Sequence, residues 1–329
     1  MQSCAAEKSF STRAADPFGT GNWEMHYDEN MGSAPPILPP HQHGPEGGYA
    51  GTQPEILSPG VDYAPPVAQQ RRRRRAAWAA SPATYLLIGI NCAVFLAMVA
   101  HHISPISPTP DQLYAWQADS AGAVLINGEW WRIVTAMFVH VGIVHLATNM
   151  WCLWNLGLLA EPLMGTWGLL AVYLLTGAAG NLLSTLWSWI ISSPDWARYH
   201  DVAVFSVGAG ASGAVFGIAG ALIVLLKSPR LPVPAVELKR LRRSVIYFSA
   251  INMVLPFTVN YGAQILHAGL RIDISAHVGG FACGLLFAAP MVPRLGSPRS
   301  MFRTQLGLAV GMIIAVLVLL GFYLAKLAG

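Results

Sequence analysis

Most of the apolar residues of this chain are gathered into long runs. Seven segments are dominated by hydrophobic side chains, and they cover residues 83–103, 141–163, 168–191, 206–226, 245–259, 275–292 and 306–324. A bilayer-spanning helix needs about 20 such residues. Only 11% of the chain is charged, against about 25% in a soluble globular protein. The pattern predicts an all-α, polytopic membrane helix bundle with six core spans and one further C-terminal span.

The first 80 residues differ from the rest. They are rich in Pro, Gly and polar residues and end in five consecutive arginines, Arg71 to Arg75. Such a composition is typical of a region that builds no core. We therefore predict a disordered cytoplasmic tail at 1–80, a six-span core at 81–295, and a linker with the seventh helix at 296–329. No apolar core of a cleavable signal peptide is evident in the tail, so the first span is expected to be an uncleaved anchor.

The positive charges indicate an orientation. With the N-terminus inside, 16 of the 20 lysines and arginines fall on the inner side, which the positive-inside rule favours. The arginine run is then a topology signal that can contact anionic lipid headgroups, and no nucleic-acid partner is expected. Ser212 and His277 both come to the outer ends of their predicted spans.

Two polar residues occur within apolar segments beside glycines. Ser212 lies in Gly210-Ala211-Ser212-Gly213, and His277 follows 65 residues later in Ala-His-Val-Gly-Gly. Ionisable groups inside spans are costly and point to function. A serine and a histidine on separate spans suggest a nucleophile and its base. A serine at a helix N-terminus also benefits from the helix dipole. The other interpretation is that these small residues serve only helix packing.

Both segments carry a Gly-x-x-x-Gly pattern. Gly213 and Gly217 form one, and Gly280 and Gly284 form the other. Such faces let helix backbones approach closely. If the two faces meet, Ser212 and His277 come within hydrogen-bond range. Phe216 lies one turn after Ser212 and is either a support for the imidazole or a plain core residue.

The second span opens with His140, His145 and Asn149. His145 and Asn149 are four residues apart and so share a helix face. Their side chains are suited to donating hydrogen bonds to a tetrahedral oxyanion. A metal is the other interpretation, but no Cys, Asp or Glu stands nearby to complete a site. We therefore predict no metal and no cofactor.

Together these residues resemble the rhomboid family of intramembrane serine proteases over roughly residues 82–295. The matching positions are Gly128-Glu129-Trp130-Trp131-Arg132, His140, His145, Asn149, Glu161, Gly165, Tyr173, Gly177, Gly180, Gly210-Ala211-Ser212-Gly213 and Ala276-His277-Val278-Gly279-Gly280. They stand in the family's order and on the corresponding spans. The extra seventh span is similar to the "six plus one" arrangement of many members, and we expect it to be structural or partner-binding.

The resemblance implies roles for the site residues. Ser212 would be the nucleophile and His277 the general base of a dyad. His145, Asn149 and the Ser212 amide would stabilise the oxyanion, and Gly210 and Gly213 would help to position the substrate. Supporting residues would be Phe216, Trp131 and Arg132, the last two in a loop partly within the outer leaflet. Asp273, four residues before His277, is interpreted as a helix cap.

The expected function is cleavage of substrate transmembrane helices near their outer ends, with single-span membrane proteins as substrates. The alternative is a catalytically inactive rhomboid-like protein that binds client helices. A transporter would favour charged groups deep in the spans and internal repeats, which the sequence does not show. The expected location is a bacterial inner membrane, with the N-terminus cytoplasmic and the active site facing outside. Oligomeric state and substrate identity do not follow from the sequence.

Overall fold

A computed structural model of the protein describes residues 81–199, 205–265 and 273–328. The predicted tail at 1–80 lies outside these ranges. The helices in chain order are α1 (Pro82–Ala100), α2 (Pro110–Ala115), α3 (Arg132–Thr135), α4 (Ile143–Tyr199), α5 (Ser212–Leu225), α6 (Ala235–Ile265), α7 (Ile274–Ala288) and α8 (Arg299–Ala328). A π-helical turn spans Gly122–Ile126, and 3-10 turns span Ala136–Phe138 and Ala289–Arg294. Within the described residues, the strands are β1 (Asp119–Ser120) and β2 (Val207–Gly208), which pair antiparallel.

Helix α4 is two helices joined at Gly165, whose φ of 76° breaks the helical conformation. Residues 143–164 form its first arm and residues 166–199 its second. Each of the seven predicted segments overlaps one helix or one arm of α4. Within the described residues, four helices are long and apolar enough to cross a bilayer: α1, α4, α8, and α7 together with its 3-10 extension. The predicted all-α polytopic fold is confirmed.

Helix α8 and the second arm of α4 extend beyond their predicted segments, and the bounds of the fourth and fifth predicted spans are wrong. The fourth span begins at Ser212, not at residue 206, because residues 207–208 pair with β1 and Gly210 donates its amide to the Ala136 carbonyl at 2.9 Å. These bonds satisfy the backbone outside a helix, and glycine is a poor helix former. The fifth span is the 31-residue α6, not a short segment. Its first half is polar, and the hydropathy pattern therefore missed it.

Helix α5 forms the centre of the bundle. Every residue from Gly213 to Leu222 is buried, as expected for a helix that is apolar on all sides. Its 14 residues span about 21 Å at 1.5 Å per residue, whereas the hydrocarbon core is about 30 Å thick. At least one end of α5 therefore lies below the membrane surface.

The N-terminus of α1 is capped from another helix. Ser81 offers no side-chain cap. Instead, the buried carboxylate of Glu161 accepts hydrogen bonds from the amides of Ala83 and Thr84, both at 2.9 Å, and from Thr84 Oγ1 at 2.8 Å. Thr166 Oγ1 donates to the same carboxylate at 3.0 Å. Glu161 therefore joins α1 to both arms of α4.

Candidate active site

Ser212 is the first residue of α5 and is half-buried. The loop before it contains Gly210 with a φ of +132°, a conformation that other residues rarely adopt. None of the described side chains caps this helix, so its first amides are available for another acceptor. A negative charge developing beside Ser212 would be stabilised by those amides and by the helix dipole.

His277 lies in the first turn of α7 and is buried. The helix is capped by Asp273, which accepts a hydrogen bond from the Ala276 amide at 3.1 Å. Ser184 Oγ and Ser275 Oγ also donate to Asp273. The interpretation of Asp273 as a cap is confirmed. The Nδ1 atom of His277 has no hydrogen-bond partner among the described residues.

Helices α5 and α7 touch through their glycines. A Cβ built on Gly280 would overlap the backbone of Gly213, and one built on Gly284 would overlap the backbone of Gly217. Both Gly-x-x-x-Gly faces therefore meet, residue opposite residue. This contact brings the start of α5, with Ser212, beside the first turn of α7, with His277.

Phe216 links the two helices further. Its ring stacks on the imidazole of His277, with centroids 4.4 Å apart and planes inclined by 23°. Both side chains are almost fully buried. The contact places the phenyl face against the imidazole, a geometry in which Phe216 can support the ring plane of His277.

The first arm of α4 presents His145 and Asn149 to the loop that carries Ser212. A Cβ at Gly210 would lie 2.5 Å from His145 Cε1 and 3.6 Å from Asn149 Nδ2. His145 Nδ1 and Asn149 Nδ2 are buried and have no partner among the described residues. Buried polar groups are normally hydrogen-bonded. These two side chains beside Gly210 each carry an unpartnered nitrogen and therefore mark a place suited to an external acceptor.

Trp131 and Arg132 lie apart from this cluster. Trp131 is exposed, and its Nε1 donates to Gln117 Oε1 at 2.7 Å. Arg132 is buried, forms an ion pair with Glu129, and donates to the carbonyls of Tyr114 and Ala118 at 2.7 and 2.9 Å. Their described contacts organise the loop between α1 and α4 and do not reach Ser212 or His277.

Sequence reasoning missed an acidic residue close to the site. Asp119 is buried in β1, opposite Gly208, and accepts a hydrogen bond from Thr185 Oγ1 at 3.2 Å. Burial, aided by the negative charge of Asp273, raises the pKa of Asp119 to about 7. Its only sequence signal is an acid in an apolar loop, and its partner is 66 residues away.

The comparisons with known proteins agree with this architecture. The Rhomboid domain model matches residues 127–294, just over half of the chain. Rhomboid protease GluP of Bacillus subtilis is 31% identical over 215 residues, which cover 65% of this chain and 36% of that protein. Rhomboid protease AarA of Providencia stuartii is 30% identical over 209 residues, covering 62% of this chain and 70% of that protein. RHOMBOID-like protein 6, mitochondrial, of Arabidopsis thaliana is 30% identical over 200 residues, covering 59% and 54%.

The fold and the buried polar cluster define an integral membrane helix bundle with a polar site where two helices begin. The chain belongs to the rhomboid family, which confirms the resemblance found in its motifs. It spans 36% of the length of the Bacillus relative and 70% of the Providencia relative.

Proposed function

We propose that this protein is an intramembrane serine endopeptidase in which Ser212 and His277 form a catalytic dyad. The observation that carries the proposal is the glycine-to-glycine contact of α5 and α7, which brings the start of α5 beside the His277 turn. Membership of a family whose relatives are named as proteases gives independent support.

The proposed reaction is acyl transfer to the serine. Ser212 Oγ attacks the scissile carbonyl carbon while a nitrogen of His277 takes the hydroxyl proton. The carbonyl oxygen becomes an oxyanion that accepts hydrogen bonds from the Ser212 amide, His145 and Asn149. Protonated His277 then gives its proton to the leaving amine. A water molecule, deprotonated by His277, hydrolyses the ester and regenerates Ser212.

A dyad fits the surroundings of His277 better than a triad. A carboxylate that oriented the imidazole would bind its Nδ1, but that atom has no partner among the described residues. The oxygens of Asp273 receive the Ala276 amide and the hydroxyls of Ser184 and Ser275 instead. The stacked ring of Phe216 supplies the orientation that a third catalytic residue would otherwise give.

The proposed substrates are single-span membrane proteins, cut near the outer ends of their transmembrane helices. A peptide bond within a stable helix is hydrogen-bonded and shielded, so cleavage favours segments with small or helix-weakening residues. The distribution of positive charge supports an N-terminus on the cytoplasmic side and a site open to external water. A bacterial cell membrane is the location we propose.

The test is cleavage of a tagged single-span substrate in proteoliposomes by the parent, Ser212→Ala and His277→Ala. Ser206→Ala is the matched control, since that serine is exposed in the same connecting segment. We expect cleavage by the parent and the control, and none by the two dyad variants. Equal cleavage by Ser212→Ala would assign the activity to another nucleophile. A folded parent that binds several substrates and cuts none would favour the non-catalytic, client-binding alternative.

A further inference from the structure

Two carboxylates flank the strand that leads to Ser212. A Cβ at Gly208 would lie 3.7 Å from Asp273 Oδ2 and 3.9 Å from Asp119 Cβ. Asp119 is opposite Gly208 in the strand pair, and Asp273 is the N-cap of α7. Asp119 therefore pairs through its backbone with the segment that leads to Ser212, and Asp273 caps the helix that carries His277.

Consecutive residues on the second arm of α4 bind the two acids. Ser184 Oγ donates to Asp273, and Thr185 Oγ1 donates to Asp119 at 3.2 Å. The segment of Ser212 and the helix of His277 are thus fixed to the same turn of a third helix. Their relative position depends on both of these contacts.

Among the residues that the structure describes, little positive charge balances the two acids. The charged groups that act on Asp119 are Asp273, from the cap of α7, and Arg132, from α3. Arg132 is already shared by Glu129 and two backbone carbonyls. With Asp119 ionised, two like charges would face each other across Gly208 in a partly buried site, where Coulomb repulsion is stronger than in water.

We propose that Asp119 and Asp273 are positioning residues. Through their hydrogen bonds with Thr185 and Ser184, they keep the Ser212 segment against α7 while Asp119 is neutral. The contact between this segment and α7 loosens when Asp119 ionises. The proposal rests on the proteolytic function proposed above. It adds an alkaline limit to that activity, in a range set by Asp119.

The first test measures the pH profile of cleavage in detergent, where a single pH bathes the whole protein. If only the protonated form is competent, the fraction active falls about tenfold from pH 6 to pH 8 for a pKa near 7. Asp119→Asn keeps a hydrogen-bond acceptor for Thr185 and cannot ionise. We expect its ratio of rates at pH 8 and pH 6 to be close to 1, whatever its absolute rate. The exposed Asp111 of the same loop gives the control Asp111→Asn, which should keep the parent's ratio.

A second variant separates positioning from simple damage. The hydrogen bond from Thr185 opposes the rise in the pKa of Asp119, so Thr185→Val should raise that pKa further. The loss of activity would then move to higher pH, which a merely destabilised protein would not show. An Asp119→Asn profile that matches the parent's, or a Thr185→Val limb that moves to lower pH, would overturn the proposal.

Thermal unfolding tests the same pair without any activity. Folded Asp119 keeps its proton up to about pH 7, whereas the unfolded carboxyl releases it near its ordinary value of 3.8. The folded state therefore binds more protons between these values, and stability falls as pH rises through this window and levels off above it. We expect this fall in the parent and a smaller one in Asp119→Asn. Even if the parent cleaves nothing, a smaller fall in stability for Asp119→Asn supports the charge pair. An equal pH dependence of stability in the parent and the variant refutes it.

Discussion

The glycines of α5 and α7 lie in a tight contact between two helices, whereas two glycines of α8 have free space around them among the described residues. Gly280 and Gly284 touch the backbone of α5 so closely that neither has room for a methyl group. Gly307 and Gly311 of α8 have the same spacing, yet a Cβ at either would meet no described residue within 4 Å. In the most apolar stretch of α8, 17% of the residues are buried, against 50% in the most apolar stretch of α7 with its 3-10 extension.

The Gly-x-x-x-Gly spacing therefore permits a close helix contact but does not create one. In α5 and α7 the glycines occur with a polar residue on the same helix, the half-buried Ser212 or the buried His277. In α8 no such residue accompanies them. The tight pair builds the site, whereas α8 packs at the edge of the bundle, where its glycines stay open.

The largest effect is expected from filling the tight contact. Gly280→Val places two methyl groups against the Gly213 backbone, which cannot move aside as a side chain can. Overpacking of a core costs about 1–3 kcal/mol, and we expect at least about 3 kcal/mol here because backbone meets backbone. Denaturation in mixed micelles should show this loss, together with loss of cleavage. Gly311→Val is the matched control, and a similar loss in both variants would remove the contrast.

The next effect is expected from the aromatic contact. Phe216→Ala removes the ring that stacks on His277, and core changes from Phe to Ala cost about 3–5 kcal/mol. Catalytic rate should fall more than substrate affinity, since the imidazole loses its orientation. Phe322→Ala in α8 removes a ring that is 67% exposed and should change stability by less than about 0.5 kcal/mol. Equal kinetics for the two variants would argue against a supporting role for Phe216.

The smallest effect, and one of opposite sign, is expected in α8. Gly307→Ala and Gly311→Ala add methyl groups in open space and replace a poor helix former with a good one. Each should stabilise the helix by about 0.5–1 kcal/mol. Urea or SDS unfolding of the double variant would measure the gain. A marked loss would show that a partner or a second helix occupies this face.

Most of the features that the sequence predicted correctly came from patterns of neighbouring residues. Apolar segment length gave the bundle, Gly-x-x-x-Gly spacing gave the meeting of α5 and α7, and an acid before an apolar segment gave the Asp273 cap. Each of these depends on residues close together in sequence. The contact of Phe216 with His277 was left open, because an apolar ring at that spacing fits either interpretation.

The features that the sequence did not predict depend on contacts between residues that are far apart in the chain. Hydropathy could not separate the loop before Ser212 from the helix after it, since both are small and apolar. The hydrogen bonds that keep residues 206–211 out of the helix come from Ala136 and β1. Both partners precede the two arms of α4 in the chain. The proposed role of Asp119 depends on its contact with Thr185 and on the nearby charge of Asp273. These residues lie far apart in the sequence, so no local pattern connects them.

The cap that Glu161 places on α1 has a consequence for biosynthesis. The amides of Ala83 and Thr84 wait for a carboxylate that is 78 and 77 residues further along the chain. A ribosome must therefore complete the first arm of α4 before the start of α1 is secured. The first helix of the bundle is therefore capped only after a later helix has been synthesised.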